Sequence, residues 1–124
     1  QAPTCVLNPT SFAEVDACIE QAISLFGRLD GVANCIGSIV LKPAHSTSEA
    51  EWHDTLTANL TTAFAITRAS ARAMQSTGGS IVLVSSSAAR IGLANHEAIA
   101  AAKAGVIGLT LSAAATYGPR GIRV

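Results

Sequence analysis

Apolar positions along the chain follow two spacings, which predicts strands that alternate with helices. Three segments carry apolar residues at helical spacing, and short continuous apolar runs lie between them. The predicted helices are 12–26, 48–75 and 97–117, and the predicted strands are 5–7, 31–36, 80–84 and 122–124. This alternation is typical of a parallel sheet with helices on both faces, so we expect one α/β domain over residues 1–124.

The middle helix has a clear start, and the loop before it lies where ligands bind in this class of fold. Ser48 is followed three residues later by Glu51, which is the pattern of a capping box. The segment 37–47 lacks periodicity and contains Pro43, so we expect a loop there. It follows the strand 31–36, and open α/β sheets bind ligands beyond the carboxyl ends of their strands.

Composition excludes several classes of function. A formal net charge of +0 and a pI of about 7.0 provide no basic surface for nucleic acid or anionic lipid. Mean hydropathy is positive, but no uninterrupted apolar run is long enough to predict a membrane span. Cys5, Cys18 and Cys35 lack metal-site spacing, so we expect free thiols in a cytoplasmic protein and no metal site.

Several short motifs follow one another in a fixed order. They are FGRLD at 26–30, NCIG at 34–37, ANLT at 58–61, Ser86 followed by Lys103, and GIRV at 121–124. In this order and at these intervals they resemble the short-chain dehydrogenase/reductase family over nearly the whole chain. The resemblance implies a Rossmann-like three-layer sandwich with a mostly parallel sheet.

The resemblance also implies a set of functional residues. Ser86, Lys103 and Asn59 match catalytic positions of the family, and Asn34 and Lys103 match cofactor-binding positions. The implied activity is hydride transfer between NAD or NADP and an alcohol or carbonyl group of a small molecule. Each residue has a structural alternative: a strand-end cap for Ser86, a solvent-facing side chain for Lys103, a helix bend for Asn59 and backbone binding for Asn34.

One position departs from the family pattern. The family's tyrosine, its general acid, lies four residues before the lysine, and Ile99 occupies that place. General acid–base catalysis contributes about 10² to 10⁴ in rate, and isoleucine has no proton to donate. Tyr117 is roughly 21 Å along the helix from Lys103 and cannot substitute. His96 is a candidate replacement, and the alternative is a partly exposed residue at a helix start.

A second departure concerns the cofactor. No glycine-rich turn leads from a strand into a helix, although such turns bind the pyrophosphate of dinucleotides. The match to the family begins at its third strand, so we expect the N-terminal β-α-β unit to be missing and the chain to be a fragment. The strand 5–7 would then pair directly with 31–36 or lie unsupported. We expect no cofactor binding and no activity from the 124-residue chain itself.

Two functions remain open at this point. One is a dehydrogenase-type oxidoreductase that is active only as part of a longer chain. The other is a non-catalytic, truncated Rossmann-like module that acts through self-association or protein binding. We expect a homo-oligomer in either case, formed by the helical segment 59–74 and by the small residues Ala100, Ala104 and Gly108.

Overall fold

A computed structural model describes residues 3–124 of the protein. Three parallel strands form the sheet, in the spatial order β1-β2-β3. The elements, in chain order, are α1 (Phe12–Phe26), β1 (Gly31–Asn34), α2 (Glu49–Leu56), a π-helical turn (Thr57–Thr61), α3 (Thr62–Ala73), β2 (Gly79–Leu83), α4 (Glu97–Tyr117) and β3 (Ile122–Arg123). Single 3₁₀ turns occupy Ala44–Ser46, Ser87–Ala89 and Gly118–Arg120.

The first and last predicted helices are confirmed at both ends. α1 begins after Ser11, whose side chain accepts a hydrogen bond from Glu14 N, and ends at Gly27 in the left-handed conformation. The predicted strand 5–7 is wrong, because these residues pair with no strand and Val6 is fully exposed. Within the described residues β1 is an edge strand with β2 as its neighbour, so the segment lies unsupported, as one of the two alternatives held.

The middle helix is interrupted, so the prediction of one continuous helix is wrong at its centre. α2 begins as predicted with a full capping box between Ser48 and Glu51. The π-helical turn then separates it from α3. Within that turn Asn59 Nδ2 donates to the Thr55 carbonyl at 2.9 Å, and such side-chain bonds compete with the regular helix ladder.

The three long helices, α1, α3 and α4, cover one face of the sheet. Val32 and Ile81 are paired in register, and with Ile122 they pack against Ala71 of α3 and Met74, the residue that follows this helix. On the opposite face the side chains of β2 and the residue after it are exposed. These are Val82, at 54%, and Val84, at 46%.

The predicted helical layer on the second face is therefore not present among residues 3–124. Both crossovers, β1 to β2 and β2 to β3, advance in the same direction across the sheet. Right-handed crossovers that advance in one direction leave all their helices on the same face.

α1 and α3 are joined by small side chains and by ion pairs, in which Arg68 and Arg72 contact Asp16 and Arg72 also contacts Glu20. Alanines of α3 allow close approach, and Arg68 donates to both carboxylate oxygens of Asp16 at 2.9 and 3.0 Å. The buried residues of this contact are Val15, Ile19, Ala65 and Ala69. The helical layer is therefore continuous along the sheet.

Candidate active site

Two adjacent strands deliver their following loops to the same edge of the sheet. Asn34, the last residue of β1, pairs in register with Leu83 of β2. Asn34 is buried, and its Oδ1 accepts a hydrogen bond from Ile36 N at 3.2 Å. Its side chain thus binds backbone at the strand end, and its role toward a cofactor stays a prediction.

Asn59 connects the π-helical turn to the loop after β1. Its side chain is buried, with Oδ1 accepting from Ser38 N at 3.2 Å and Nδ2 donating to Ser38 Oγ at 3.2 Å. Together with the bond to the Thr55 carbonyl, these contacts use both ends of the amide. The asparagine therefore fixes the loop at the position the sequence singled out.

Gly37 marks the point where the site residues converge. A Cβ atom at this position would lie 2.7 Å from Asn59 Oδ1 and 3.5 Å from Lys103 Nζ. The first distance is shorter than any unstrained contact, so a side chain there would have to displace the buried Asn59 amide. The structure thus brings Asn59 and Lys103 together across the backbone of Gly37.

Lys103 is buried rather than solvent-facing, which rules out its structural alternative. Its side chain is 9% exposed, and Nζ donates to the Val84 carbonyl at 2.8 Å. Burial lowers the pKa of Lys103 below its usual value. The structure also contains Ser85 Oγ donating to the Lys103 carbonyl at 2.8 Å. Sequence reasoning missed this contact, because a run of three serines carries no spacing signal.

Ser86 has a structural role in this conformation. Its Oγ accepts a hydrogen bond from Ala88 N at 3.2 Å and caps the 3₁₀ turn Ser87–Ala89. In the described part of the chain no hydrogen bond joins Ser86 to Lys103 or Asn59. Ser86 nevertheless lies three residues after β2, at the sheet edge that carries the other site residues.

The position of the family's general acid is filled by a buried apolar side chain. Ile99 is 4% exposed, in the first turns of α4. His96 is the residue before that helix, and its Nδ1 lies 2.7 Å from the Ala94 carbonyl. A carbonyl can only accept, so Nδ1 carries a proton and Nε2 is the ring nitrogen left for other contacts.

Apolar side chains surround this edge of the sheet. They lie on the two loops that follow β1 and β2, and all are exposed by 37% to 62%. They are Ile36, Ile39 and Leu41 on the first loop, and Ile91 and Leu93 on the second. Polar groups beside an apolar rim are the usual composition of a small-molecule site.

Lys103 and Gly37 fit the nicotinamide end of a dinucleotide. The Lys103 ammonium supplies donors suited to ribose hydroxyls, and the backbone of Gly37 is bare beside it. The pyrophosphate end has no counterpart, because the sequence contains no glycine-rich strand-to-helix turn. Residues 3–124 also contain no group of three or more potential metal ligands.

One helix meets the length and composition of a membrane span. It runs from Glu97 to Arg120 and includes α4. This is a weak indication, because core helices of water-soluble domains pass the same test. Here the helix contacts α2, α3, the π-helical turn and β3.

Known proteins match the chain over nearly all of its length. A family model described as Enoyl-(Acyl carrier protein) reductase matches residues 1–124. D-threitol dehydrogenase of Mycolicibacterium smegmatis is 38% identical over 113 residues, which cover 90% of this chain and 44% of that protein. A crystal structure of a short chain dehydrogenase from Mycobacterium smegmatis matches with a TM-score of 0.93 at 34% identity, over 97% of this chain and 51% of that one. The structure of an ElxO variant with NADPH bound has a TM-score of 0.92 at 26% identity, over 95% and 48% of the two chains.

The chain spans less than half the length of that curated relative and about half of those solved structures. The predicted Rossmann-like α/β fold is confirmed as a partial fold, and the relatives support an oxidoreductase function with a nicotinamide cofactor in the family. A family model that covers every residue and solved dehydrogenases of nearly identical backbone lead to one conclusion: the chain belongs to the short-chain dehydrogenase/reductase family.

Proposed function

We propose that this chain forms the catalytic edge of an NAD(P)-dependent oxidoreductase that acts on an alcohol or carbonyl group of a small molecule. The observation that supports it is the convergence of Asn59 and Lys103 around Gly37, beyond the carboxyl ends of β1 and β2. When bound, the dinucleotide supplies the hydride. The three free cysteines and the balanced charge support action in the cytoplasm, without nucleic acid or membrane as partner.

Each polar residue has a distinct task in this proposal. Lys103 Nζ binds ribose hydroxyls while the Val84 carbonyl holds it in place. Asn59 fixes the Ser38 backbone and hydroxyl through both ends of its amide. Ser86 Oγ turns from Ala88 N toward the substrate oxygen and polarises it.

The proton in this proposal is supplied by His96. Its Nε2 is the nitrogen not directed at the Ala94 carbonyl, so it is the ring nitrogen available to a substrate. His96 precedes Ile99 by three residues, so it lies about one helical turn from the position of the missing phenol. Protonated His96 would donate to the substrate oxygen as the hydride arrives at carbon.

The apolar rim supports a substrate with an apolar body. Ile39 and Leu41 are 62% and 56% exposed, and Ile91 is 57% exposed. Burying such side chains against a ligand contributes about 25 cal/mol per Å² of apolar area. A polyhydroxylated substrate would gain little from these surfaces.

The test uses the protein in its natural full-length form, with NADH or NADPH oxidation measured against ketones of graded polarity. We expect Lys103→Met and Asn59→Ala to lower turnover at least tenfold. Lys42→Met is the matched control, because Lys42 is exposed and paired with Glu51 on the surface. Equal turnover in all three variants would overturn the proposed site.

A second candidate function is self-association of a non-catalytic module. It is favoured by apolar residues on the outer surfaces of α3 and α4, where Phe64 is 49% and Leu111 is 68% exposed. Ala104 and Gly108 are exposed on the same helix as Leu111, and no neighbouring atom would obstruct a Cβ at Gly108.

Sedimentation velocity separates this candidate from a monomer. We expect a concentration-dependent dimer or tetramer that Leu111→Asp dissociates. Leu41→Asp, at a similarly exposed leucine on the site loop, should leave the assembly intact. A monomer at all concentrations would remove the second candidate.

A further inference from the structure

A pocket of about 200 Å³ lies on the far side of α1 from the site residues. One wall is the N-terminal segment with Pro3, Thr4 and Cys5, and the other is the outer surface of α1. The helix residues in the pocket include Cys18, Gln21, Ala22 and Leu25, which recur at helical spacing. Two of the three cysteines of the chain therefore share one small pocket.

The two thiols differ in environment and influence each other. Cys5 is exposed and Cys18 is half-buried, and neither is in a disulfide. Burial raises the pKa of Cys18, and the neighbouring Cys5 thiol raises it further. The third cysteine, Cys35, is exposed on the loop after β1 and does not line this pocket.

The connection between the two cysteines is held in a folded-back turn. Asn8 N donates to the Glu14 carboxylate at 2.7 Å, and Ser11 caps the start of α1. The segment that carries Cys5 is not held by strand pairing. Cys18 lies on its helix and the turn brings Cys5 to the same pocket, so a disulfide between them would close within this pocket.

We propose that Cys5 and Cys18 form a redox-sensitive pair that closes to a disulfide when it meets a disulfide oxidant such as oxidised glutathione. The Cys5 thiolate attacks one sulfur of the oxidant, forms a mixed disulfide and releases one glutathione thiolate. The Cys18 thiolate then attacks the Cys5 sulfur and displaces the second glutathione. Overall, two protein thiols lose two electrons and two protons, and one oxidised glutathione becomes two reduced molecules.

The disulfide forms between Cys5 and Cys18 and not with Cys35, because only the first two share the pocket. Cys35 does not line the pocket that holds the other two thiols, so we expect it to stop at the mixed disulfide. The second step depends on the Cys18 thiolate, whose share is small at neutral pH because the pKa of Cys18 is raised, and grows as the pH rises. The closed disulfide joins the N-terminal segment to α1 and constrains the unfolded chain, which stabilises the fold.

The test is titration of the purified protein with oxidised glutathione at pH 7 and pH 8.5, followed by intact mass and peptide mapping under non-reducing conditions. We expect a product that has lost two hydrogens, a cross-linked peptide pair containing Cys5 and Cys18, and closure at least fivefold faster at the higher pH. A reductant should reverse the change, and the oxidised form should melt several degrees higher.

Serine variants at each cysteine provide the controls. Cys35→Ser should close as the unchanged protein does, whereas Cys5→Ser and Cys18→Ser should stop at mixed disulfides. Melting curves of the reduced variants check that each still folds. A linkage to Cys35, or mixed disulfides alone on the unchanged protein, would overturn the proposal.

Discussion

At the scale of single residues, the site combines an intact lysine and asparagine with an apolar side chain where a phenol is expected. Ile99 is almost fully buried one helical turn before Lys103, so it fills space rather than exchanging protons. Lys103 keeps its burial and its hydrogen bond to the Val84 carbonyl. The chain therefore belongs to the family but lacks, at position 99, the side chain that transfers the proton in the family's usual mechanism.

A tyrosine at position 99 should speed proton transfer beyond what His96 supplies. In the full-length form we expect Ile99→Tyr to raise carbonyl reductase turnover at least tenfold, since general acid catalysis typically contributes about 10² to 10⁴. Steady-state kinetics with NADH or NADPH measures the change. Ile99→Phe is the matched control, because it adds the same ring without the hydroxyl that donates the proton. An equal gain in turnover from Phe would contradict this explanation.

The bare backbone at Gly37 should be intolerant of any side chain. Gly37→Ala places a Cβ against Asn59 Oδ1 and forces apart the Asn59–Ser38 hydrogen bonds. We expect a loss of about 1–3 kcal/mol in unfolding free energy, measured by urea denaturation. Gly92→Ala is the control, since no atom lies within 4 Å of a Cβ there, and it should stay within about 0.5 kcal/mol. Equal losses in the two variants would contradict the crowding at Gly37.

Burial of Lys103 should appear as a pH dependence of stability. Its pKa is lowered in the folded protein, so between that value and the ordinary one, about 10.4, the unfolded chain binds more protons. The stability of the unchanged protein relative to Lys103→Met should therefore rise with pH through this interval. Urea titrations of both proteins at pH 7 and pH 10 measure the difference, and a constant difference would show that the lysine keeps its usual pKa.

At the scale of elements, the interruption of the middle helix positions the site. The π-helical turn places Asn59 so that its amide contacts both the Thr55 carbonyl and the loop residue Ser38. A regular helix was predicted because apolar spacing averages over many residues and does not register one inserted position. One side chain, that of Asn59, thus connects the loop 37–47 to the helical segment that follows it.

The capping box at the start of α2 should carry a measurable share of stability. Ser48 Oγ accepts from Glu51 N, and the Glu51 carboxylate accepts from Ser48 N at 2.9 Å. The Lys42 hydrogen bond and then those of Ser48 lower the pKa of Glu51 to about 2. Ser48→Ala should cost about 0.5–2 kcal/mol in chemical denaturation.

Ser76 provides the comparison for Ser48. It is exposed in the turn after α3 and caps no helix, so Ser76→Ala should change stability by less than about 0.5 kcal/mol. Equal effects at the two serines would mean that the capping box contributes nothing beyond the loss of a hydroxyl.

At the scale of the whole molecule, the described residues form one helical layer on a three-stranded sheet. Val82 and Val84 leave the second face of the sheet apolar and uncovered, and β1 is an edge strand. Solved dehydrogenases about twice as long share this arrangement over 97% of the chain. In the proposed function, the described residues would hold only the nicotinamide end of a dinucleotide.

The 124-residue chain should therefore not bind a dinucleotide measurably. Calorimetric titration with NADH and NADPH is expected to give no heat of binding up to millimolar concentrations, because no glycine-rich turn binds the pyrophosphate. The full-length form is the positive control and should bind. Micromolar affinity in the 124-residue chain would mean that Lys103 and its neighbours suffice.

The sequence by itself determined the elements with local signals and the family. Helical spacing and capping residues placed α1 and α4 at their observed ends, because those signals act within a few residues along the chain. The order and intervals of short motifs predicted that Asn59, Ser86 and Lys103 belong to one site, and the structure brings Asn59 and Lys103 together at Gly37.

Tertiary structure decided what depends on contacts between distant segments. Burial settled that Lys103 faces inward, and packing placed Gly37 between Asn59 and Lys103. Strand status needs a partner, so the apolar run at 5–7 could not be judged from its own residues. The proximity of Cys5 to Cys18 likewise follows from how the N-terminal segment folds back on α1, and no spacing rule encodes that path.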